Sequence, residues 1–196
     1  MTDAPAAPGS LTDEPLEVEV TQSELVYEGH VWDVRSDTFR YGDRDIVRQY
    51  VDHPGAAAIV ALDDDGRVLV IQQYRHPIRH RDWEIPAGLL DVEGEPPAEA
   101  ARRELAEEAD LAAERWDELL SVWSTPGGND EVVHIFLARN LRALEDAHHR
   151  EDEEADIRVE WLPLADAVSG VLAGRLRNGI LAAGVLAAAE RLRREE

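Results

Sequence analysis

Apolar and polar residues alternate in short runs along the early part of the chain. Between residues 16 and 51 these runs are interrupted at Gly29 and Gly42. Alternation with a period of two residues is typical of strands with one buried face, and glycines between such runs mark turns. This region is therefore predicted to form antiparallel strands. Residues 1–15 are rich in proline, alanine and aspartate and lack any period, so we expect a disordered tail before a single domain at residues 16–196.

Continuous apolar runs in the centre of the chain predict buried strands. The runs at residues 55–62 and 68–71 are separated by the turn sequence DDDG, which predicts a buried hairpin. Residues 143–155 carry many charges and almost no large apolar side chain, so we expect an exposed loop there. Further strands are predicted at residues 119–123, 132–138 and 157–161, and helices at residues 164–172 and 178–192.

A helix is predicted between these strands, because apolar residues recur there every three or four positions. Pro96 and Pro97 suit a helix start, where a missing N–H group costs nothing. An irregular loop at residues 88–95 and a short strand at residues 83–86 precede it. With strands on both sides and two helices at the end, the pattern predicts an α+β fold in which a mixed sheet lies between helices. The apolar stripe of the central helix consists of Ala98, Ala101, Leu105, Ala109 and Ala112.

Three glutamates share one face of this central helix. Glu104, Glu107 and Glu108 are three or four residues apart, so their carboxylates repel one another. A solvated acidic face would account for the glutamates alone, but the adjoining apolar stripe places this helix against a core. We therefore expect a hard divalent cation, Mg²⁺ or Mn²⁺, to neutralise carboxylates that have no basic side chain among them.

Composition narrows the possible functions. The chain has 196 residues, of which 44% are hydrophobic, so it is long enough for one core. No apolar run approaches the ~20 residues of a membrane span and no signal-peptide pattern is visible, so we expect a cytoplasmic location.

The absence of cysteine excludes disulfides, thiol catalysis and thiolate metal sites. A net charge of −22 argues against nucleic acid or an anionic membrane as partner. All basic residues are arginine, which excludes a Schiff-base lysine and a Walker-type lysine.

The stretch at residues 83–111 resembles the Nudix box, written GX5EX7REUXEEXGU with U a bulky aliphatic residue. Six residues instead of five separate Gly88 from Glu95, and Asp110 stands where the pattern has glycine. That position suits a left-handed conformation just after the helix, which aspartate tolerates at a cost of order 1 kcal/mol. The residues in register are Glu95, Arg103, Glu104, Leu105, Glu107, Glu108 and Leu111.

The resemblance implies a Nudix fold and a hydrolase that depends on Mg²⁺ or Mn²⁺, with two or more ions per site. It assigns the metal to Glu104, Glu107, Glu108 and the backbone carbonyl of Ala87. Glu107 is also implied to be catalytic. The phrases QYRH at residues 73–76 and WEIPAG at residues 83–88, with Pro126-Gly127 and EEAD at residues 153–156, further resemble the ADP-ribose pyrophosphatase branch.

That branch splits ADP-ribose into AMP and ribose 5-phosphate. Its members are typically homodimers whose N-terminal strands reach over the neighbouring active site, so we expect residues 16–51 to dimerise. The resemblance also implies substrate contacts at Arg48, Arg75, Glu84 and Gly88. A cation at Arg75 suits a diphosphate that approaches an acidic protein. By contrast, Arg79 and Arg81, which follow Arg75 closely in the sequence, are expected to balance neighbouring carboxylates.

The general base is expected outside the box, because the box glutamates are assigned to metal. In the branch an acidic residue a few positions before the next strand has this role, and counting back from Ile157 selects Glu153, with Glu154 as second choice. Glu151 and Asp152 in the same run are expected to be solvated.

Other interpretations remain open for some residues and for the function. His76 and His80 have the spacing of zinc ligands on a helix, but Pro77 between them favours a loop. The five tryptophans are expected to be mostly core, with adenine stacking as the alternative for Trp32 and Trp83. The hydrolase could act on a sugar nucleotide, a dinucleotide or an oxidised nucleotide, since fold and box leave the leaving group open. A non-catalytic ADP-ribose or nucleotide sensor is the alternative from another class, against which the intact glutamates argue.

Overall fold

The computed structural model describes residues 11–145 and 157–195. Ten strands and three helices are found in these two ranges. The strands are β1 (Glu19–Tyr27), β2 (Asp33–Tyr41), β3 (Arg44–Asp52), β4 (Ala56–Ala61), β5 (Arg67–Arg75), β6 (His80–Glu84), β7 (Ala87–Leu89), β8 (Leu111–Trp123), β9 (Val132–Ala143) and β10 (Arg158–Pro163). The helices are α1 (Pro97–Ala109), α2 (Leu164–Leu172) and α3 (Gly179–Glu195).

The N-terminal region forms the antiparallel sheet β1-β2-β3 that the alternating pattern predicted. All nine residues of β1 are exposed. Residues 11–18 are also exposed and have no regular structure, while residues 1–10 of the expected tail lie outside the described ranges. The region joins the rest of the molecule at Val51, which exchanges backbone hydrogen bonds with Gly128 and Asp130.

A mixed sheet in the order β7-β4-β9-β8 forms the centre of the molecule, as predicted. Strands β4 and β9 are parallel, and the other pairs are antiparallel. Alternate residues of β4 face opposite sides, so Ile59 packs in the cluster that contains α1 and Val60 in the cluster that contains α3. The remaining sheet, in the order β10-β5-β6, carries the hairpin beside the cavity described below.

The predicted hairpin of residues 55–62 and 68–71 is wrong. One isolated bridge, between Leu62 just after β4 and Val68, joins the two segments, and β4 and β5 belong to different sheets. Both edges of β4 are occupied, one by β7 and the other by β9, so no edge remains for β5. All six residues of β4 are buried, which is why the run is apolar throughout.

Several other element predictions need correction. Strand β8 begins at Leu111, directly after α1, so Ala112 belongs to a strand and not to the helical stripe. Residues 88 and 89 of the expected loop belong to β7, which begins at Ala87. The tryptophans are not mostly core: Trp32 and Trp123 are exposed and the other three are partly buried, since large indole rings lie at the margins of a core built largely from alanine and valine.

Helix α1 packs through a face of small residues and ends where predicted. Ala100, Ala101 and Leu105 are fully buried against β4 and β9. Asp110 follows the last helical residue with φ 54° and ψ 36°, the left-handed conformation expected there. Its N–H donates to the carbonyls of Leu105 and Ala106, so the C-terminus of the helix is capped without a glycine.

Candidate active site

A cavity of about 660 Å³ lies between the N-terminal sheet and the α/β core. Its volume is in the range of small-molecule sites, and both charged and apolar side chains form its wall. The residues that line it come from β4, β5, β6, β7, β9 and α3 and from the connections next to these elements. They include Val31, Trp32, His53, Arg75, Ile78, Asp82, Glu84, Ala87, Gly88, Glu131 and Asn178.

Two box glutamates of α1 meet β7 at Ala87 and Gly88, which line this cavity, although the glutamates themselves are not among its lining residues. Glu108 is 5% exposed, and its Oε2 accepts a hydrogen bond from the Ala87 N–H at 2.9 Å. A Cβ atom at Gly88 would overlap the carboxyl group of Glu104. A side chain at residue 88 would therefore displace the Glu104 carboxyl group from this position. The consequence is that two carboxylates reach consecutive residues of the cavity wall.

The acidic face also contains a basic side chain, contrary to the sequence prediction. Arg103 donates to Glu95 at 3.3 and 3.1 Å, to Glu104, and to Glu107 at 3.1 Å. These hydrogen bonds, with those to Glu95 contributing most, raise the pKa of Arg103. Arg103 and Glu107 are four residues apart, so the helical spacing could have revealed the pair.

The donor set fits a hard cation. Glu104 and Glu108 supply carboxylate oxygens beside Ala87 and Gly88, where no side chain obstructs a close approach. Within residues 11–145 and 157–195, no three histidine, aspartate or glutamate side chains are grouped closely enough to hold a metal ion. A cation bound here would therefore have to draw Glu104 and Glu107 away from Arg103.

Arg75 and Glu84 form a bidentate ion pair in the cavity wall. The Arg75 Nε donates to Glu84 Oε1 at 2.7 Å and its Nη2 donates to Oε2 at 2.6 Å. The Glu84 side chain is only 7% exposed, whereas that of Arg75 is 44% exposed. A buried carboxylate thus orients a guanidinium at the cavity, which is a suitable arrangement for recognising a diphosphate.

The other predicted site residues are dispersed. Trp32 lines the cavity, but Trp83 lies in the wall of a neighbouring one. Arg48 is exposed on β3 and donates to the carbonyl of Val47. Glu153 and Glu154, proposed as the base and its alternative, lie outside the described ranges. The predicted loop around His76 is present as the β5–β6 turn.

Four polar lining residues were missed in the sequence. His53 lies 3.6 Å from Glu131 through its Nδ1, and both face the cavity. Asn178 donates to Asp82 at 3.1 Å and also caps α3 by accepting the N–H groups of Ile180 and Leu181. An asparagine before a helical run is a recognised capping signal, but nothing in the sequence indicated its place in a cavity wall.

Comparison with known proteins agrees with this architecture. The NUDIX domain model matches residues 52–181. The chain belongs to the Nudix family, and it is a Nudix hydrolase. It is 45% identical over 172 residues to the ADP-ribose pyrophosphatase of Mycobacterium tuberculosis, covering 86% of this chain and 82% of the relative. It is 35% identical over 159 residues to the ADP-ribose pyrophosphatase of Bacillus subtilis, covering 81% and 83%. The crystal structure of an ADP compounds hydrolase shares the fold, with a TM-score of 0.74 at 19% identity over 94% of this chain and 98% of the other.

Within the described residues, none of the helices combines the length and the apolar character needed to span a membrane.

Proposed function

We propose that this protein hydrolyses the diphosphate bond of ADP-ribose and releases AMP and ribose 5-phosphate, with Mg²⁺ or Mn²⁺. The observation that carries the proposal is the convergence of Glu104 and Glu108 on Ala87 and Gly88 at a cavity whose wall holds Arg75. Similarity to two ADP-ribose pyrophosphatases over most of the chain supports the choice of substrate.

The proposed metal ligands are Glu104, Glu107, Glu108 and the Ala87 carbonyl. A divalent cation supplies charge neutralisation for the diphosphate and lowers the pKa of a bound water. Glu108 positions the Ala87 backbone through its hydrogen bond, and Gly88 leaves room for the Glu104 carboxylate. Two or more ions per site are proposed, and Glu107 would join Glu104 and Glu108 as a ligand once it is released from Arg103.

The proposed substrate contacts are Arg75, Glu84, Gly88 and Arg48. Arg75 binds the diphosphate while Glu84 fixes its guanidinium plane, so the cation is in place before the substrate arrives. Arg48 is on the exposed sheet β1-β2-β3, so it could contact substrate only across a subunit interface.

Glu153 is proposed as the general base, with Glu154 as the alternative. A carboxylate that accepts the proton of the attacking water typically contributes about 100-fold or more to the rate. Glu153→Gln is therefore expected to lower kcat by that factor while ADP-ribose still binds. A loss in Glu154→Gln with an active Glu153→Gln would move the base by one residue, and activity in both variants would refute a base in this segment.

We further propose a cytoplasmic homodimer that pairs through the N-terminal sheet. That sheet and the connection between β1 and β2 carry exposed apolar side chains, which monomeric proteins seldom present in such number. The exposed apolar residues of the sheet and of the connection between β1 and β2 are Val20, Leu25, Val26, Tyr27, Val31, Trp32, Tyr41 and Val47.

A substrate panel tests the proposed specificity. ADP-ribose, GDP-mannose, a dinucleoside diphosphate and an oxidised nucleoside triphosphate would each be assayed with Mg²⁺ and with Mn²⁺. We expect the highest kcat/KM for ADP-ribose. Preference for another compound would correct the substrate, and turnover of none, with ADP-ribose still bound, would favour the non-catalytic sensor.

A further inference from the structure

A second cavity, of about 650 Å³, adjoins the active-site cavity. Ile78 and Asp82 line both cavities, so they form the wall between them. The remaining lining residues come from β6 and from the connection between α2 and α3. They are His80, Arg81, Trp83, Gly174, Arg175 and Arg177.

The basic character of this second cavity is unusual for the chain. Three arginines and a histidine line it, against the single carboxylate of Asp82, in a chain with a net charge of −22. Charges farther away than the Debye length of about 8 Å are largely screened at physiological ionic strength. An anion in the cavity would therefore interact mainly with its basic wall.

Arg175 and Arg177 form no ion pair within residues 11–145 and 157–195. In the same ranges, the side chain of Arg177 donates only through its Nε, to the carbonyl of Gly174 at 3.1 Å. Most other arginines of the structure, such as Arg67, Arg103 and Arg139, are engaged by aspartate or glutamate. These two guanidiniums are thus suited to binding an external anion.

The loop that carries these arginines is held in place by its own backbone. The N–H groups of Arg175 and Leu176 both donate to the Gly170 carbonyl, at 2.9 and 3.2 Å. A Cβ atom at Gly170 would lie 2.9 Å from the Leu176 side chain, so the loop packs tightly on α2. Asn178 then links the loop to the opposite wall through Asp82. A preformed loop reduces the entropy lost on binding.

We propose that this second cavity binds the phosphate group of a small phosphomonoester, separately from the reaction centre. Guanidinium groups provide charge-assisted hydrogen bonds to phosphate oxygens, and a concave cavity of this volume suits a small molecule. AMP, ribose 5-phosphate and free phosphate share this chemistry. Binding at this site does not depend on the proposed reaction, so a failure of one would not affect the other.

The test is calorimetric titration of the full chain in EDTA, which prevents turnover and metal-assisted binding. The probes are inorganic phosphate, AMP and ribose 5-phosphate. The variant Arg175→Ala/Arg177→Ala removes two cavity charges, and Arg193→Ala/Arg194→Ala removes two charges at the exposed end of α3. We expect at least about tenfold weaker binding in the first variant and little change in the second.

The probe that binds most tightly identifies the ligand source. Equal affinity in both double variants, or no binding of any probe to the wild type at millimolar concentration, would overturn the proposal. Circular dichroism checks that the variants fold, and Arg175→Gln provides a milder substitution with the same expected direction. A wild-type-like Kd in a folded Arg175→Gln would also count against the site.

Discussion

Glu108 combines two structural features that a solvent-facing glutamate would lack. It is buried on the apolar side of α1, and it accepts a hydrogen bond from the backbone of the cavity wall. Burial of a carboxylate is costly unless it is paired or bound to a cation. We propose that this position serves metal binding, because a carboxylate that reaches the backbone of the cavity wall is suited to hold a hard cation there.

Glu108→Gln tests this residue with little change of shape. The glutamine side-chain oxygen can still accept the Ala87 N–H, so the fold is expected to persist while a cation loses one charged ligand. We expect kcat to fall by about 100-fold or more, and Mg²⁺ binding measured by calorimetry to weaken. Glu99→Gln removes the same charge from an exposed position of α1 and serves as the control. Wild-type activity of Glu108→Gln at saturating substrate would contradict the assignment.

Arg75→Ala tests the diphosphate contact. Its loss leaves the buried Glu84 without its bidentate partner, so the variant is expected to lose stability as well as substrate affinity. We expect kcat/KM to fall by about tenfold or more, and the melting temperature to decrease. Arg79→Ala, in the adjoining turn, should change kcat/KM little. Equal small effects in the two variants would assign Arg75 to surface charge.

At the scale of elements, α1 ends in a conformation that favours glycine. Asp110 adopts φ 54°, and its N–H satisfies two carbonyls of the last helical turn. Comparing Asp110→Gly with Asp110→Ala isolates the backbone effect, because both variants remove the carboxylate. We expect the glycine variant to be more stable by about 1 kcal/mol, which for a chain of this length is about 2–4 °C in Tm. Identical melting temperatures would contradict the left-handed geometry.

Local signals predicted the helices well because their causes lie nearby in the chain. The bounds predicted for α2 are those observed, and the end of α1 follows from Asp110, at the glycine position of the box. The hairpin of β4 and β5 was wrong because strand pairing depends on competition between distant segments. β9, more than seventy residues after β4, occupies the edge that β5 would have needed.

The candidate site was predictable only where a motif contained it. Glu104, Glu108 and Gly88 are close in the sequence and were found together. His53, Glu131 and Asn178 reach the same cavity from separate elements, and no short spacing marks them.

At the scale of the whole molecule, the exposed sheet β1-β2-β3 predicts a dimer. Light scattering is expected to give twice the 21.8 kDa mass of one chain. Leu25→Asp adds a charge on the exposed strand β1 and should shift the mass towards the monomer. Leu172→Asp adds the same charge on α2 and should leave the mass unchanged. A wild-type enzyme that is active as a monomer would refute the dimer.

The central claim is that the carboxylates at the cavity support hydrolysis of the diphosphate bond of ADP-ribose. Phosphorus NMR of ADP-ribose with the full chain tests it directly. With Mg²⁺ or Mn²⁺ added at catalytic concentration, the two diphosphate resonances are expected to be replaced by two phosphomonoester resonances, those of AMP and ribose 5-phosphate. EDTA is expected to stop the conversion. Diphosphate resonances that persist with folded protein and metal, or products other than these two, would contradict the account.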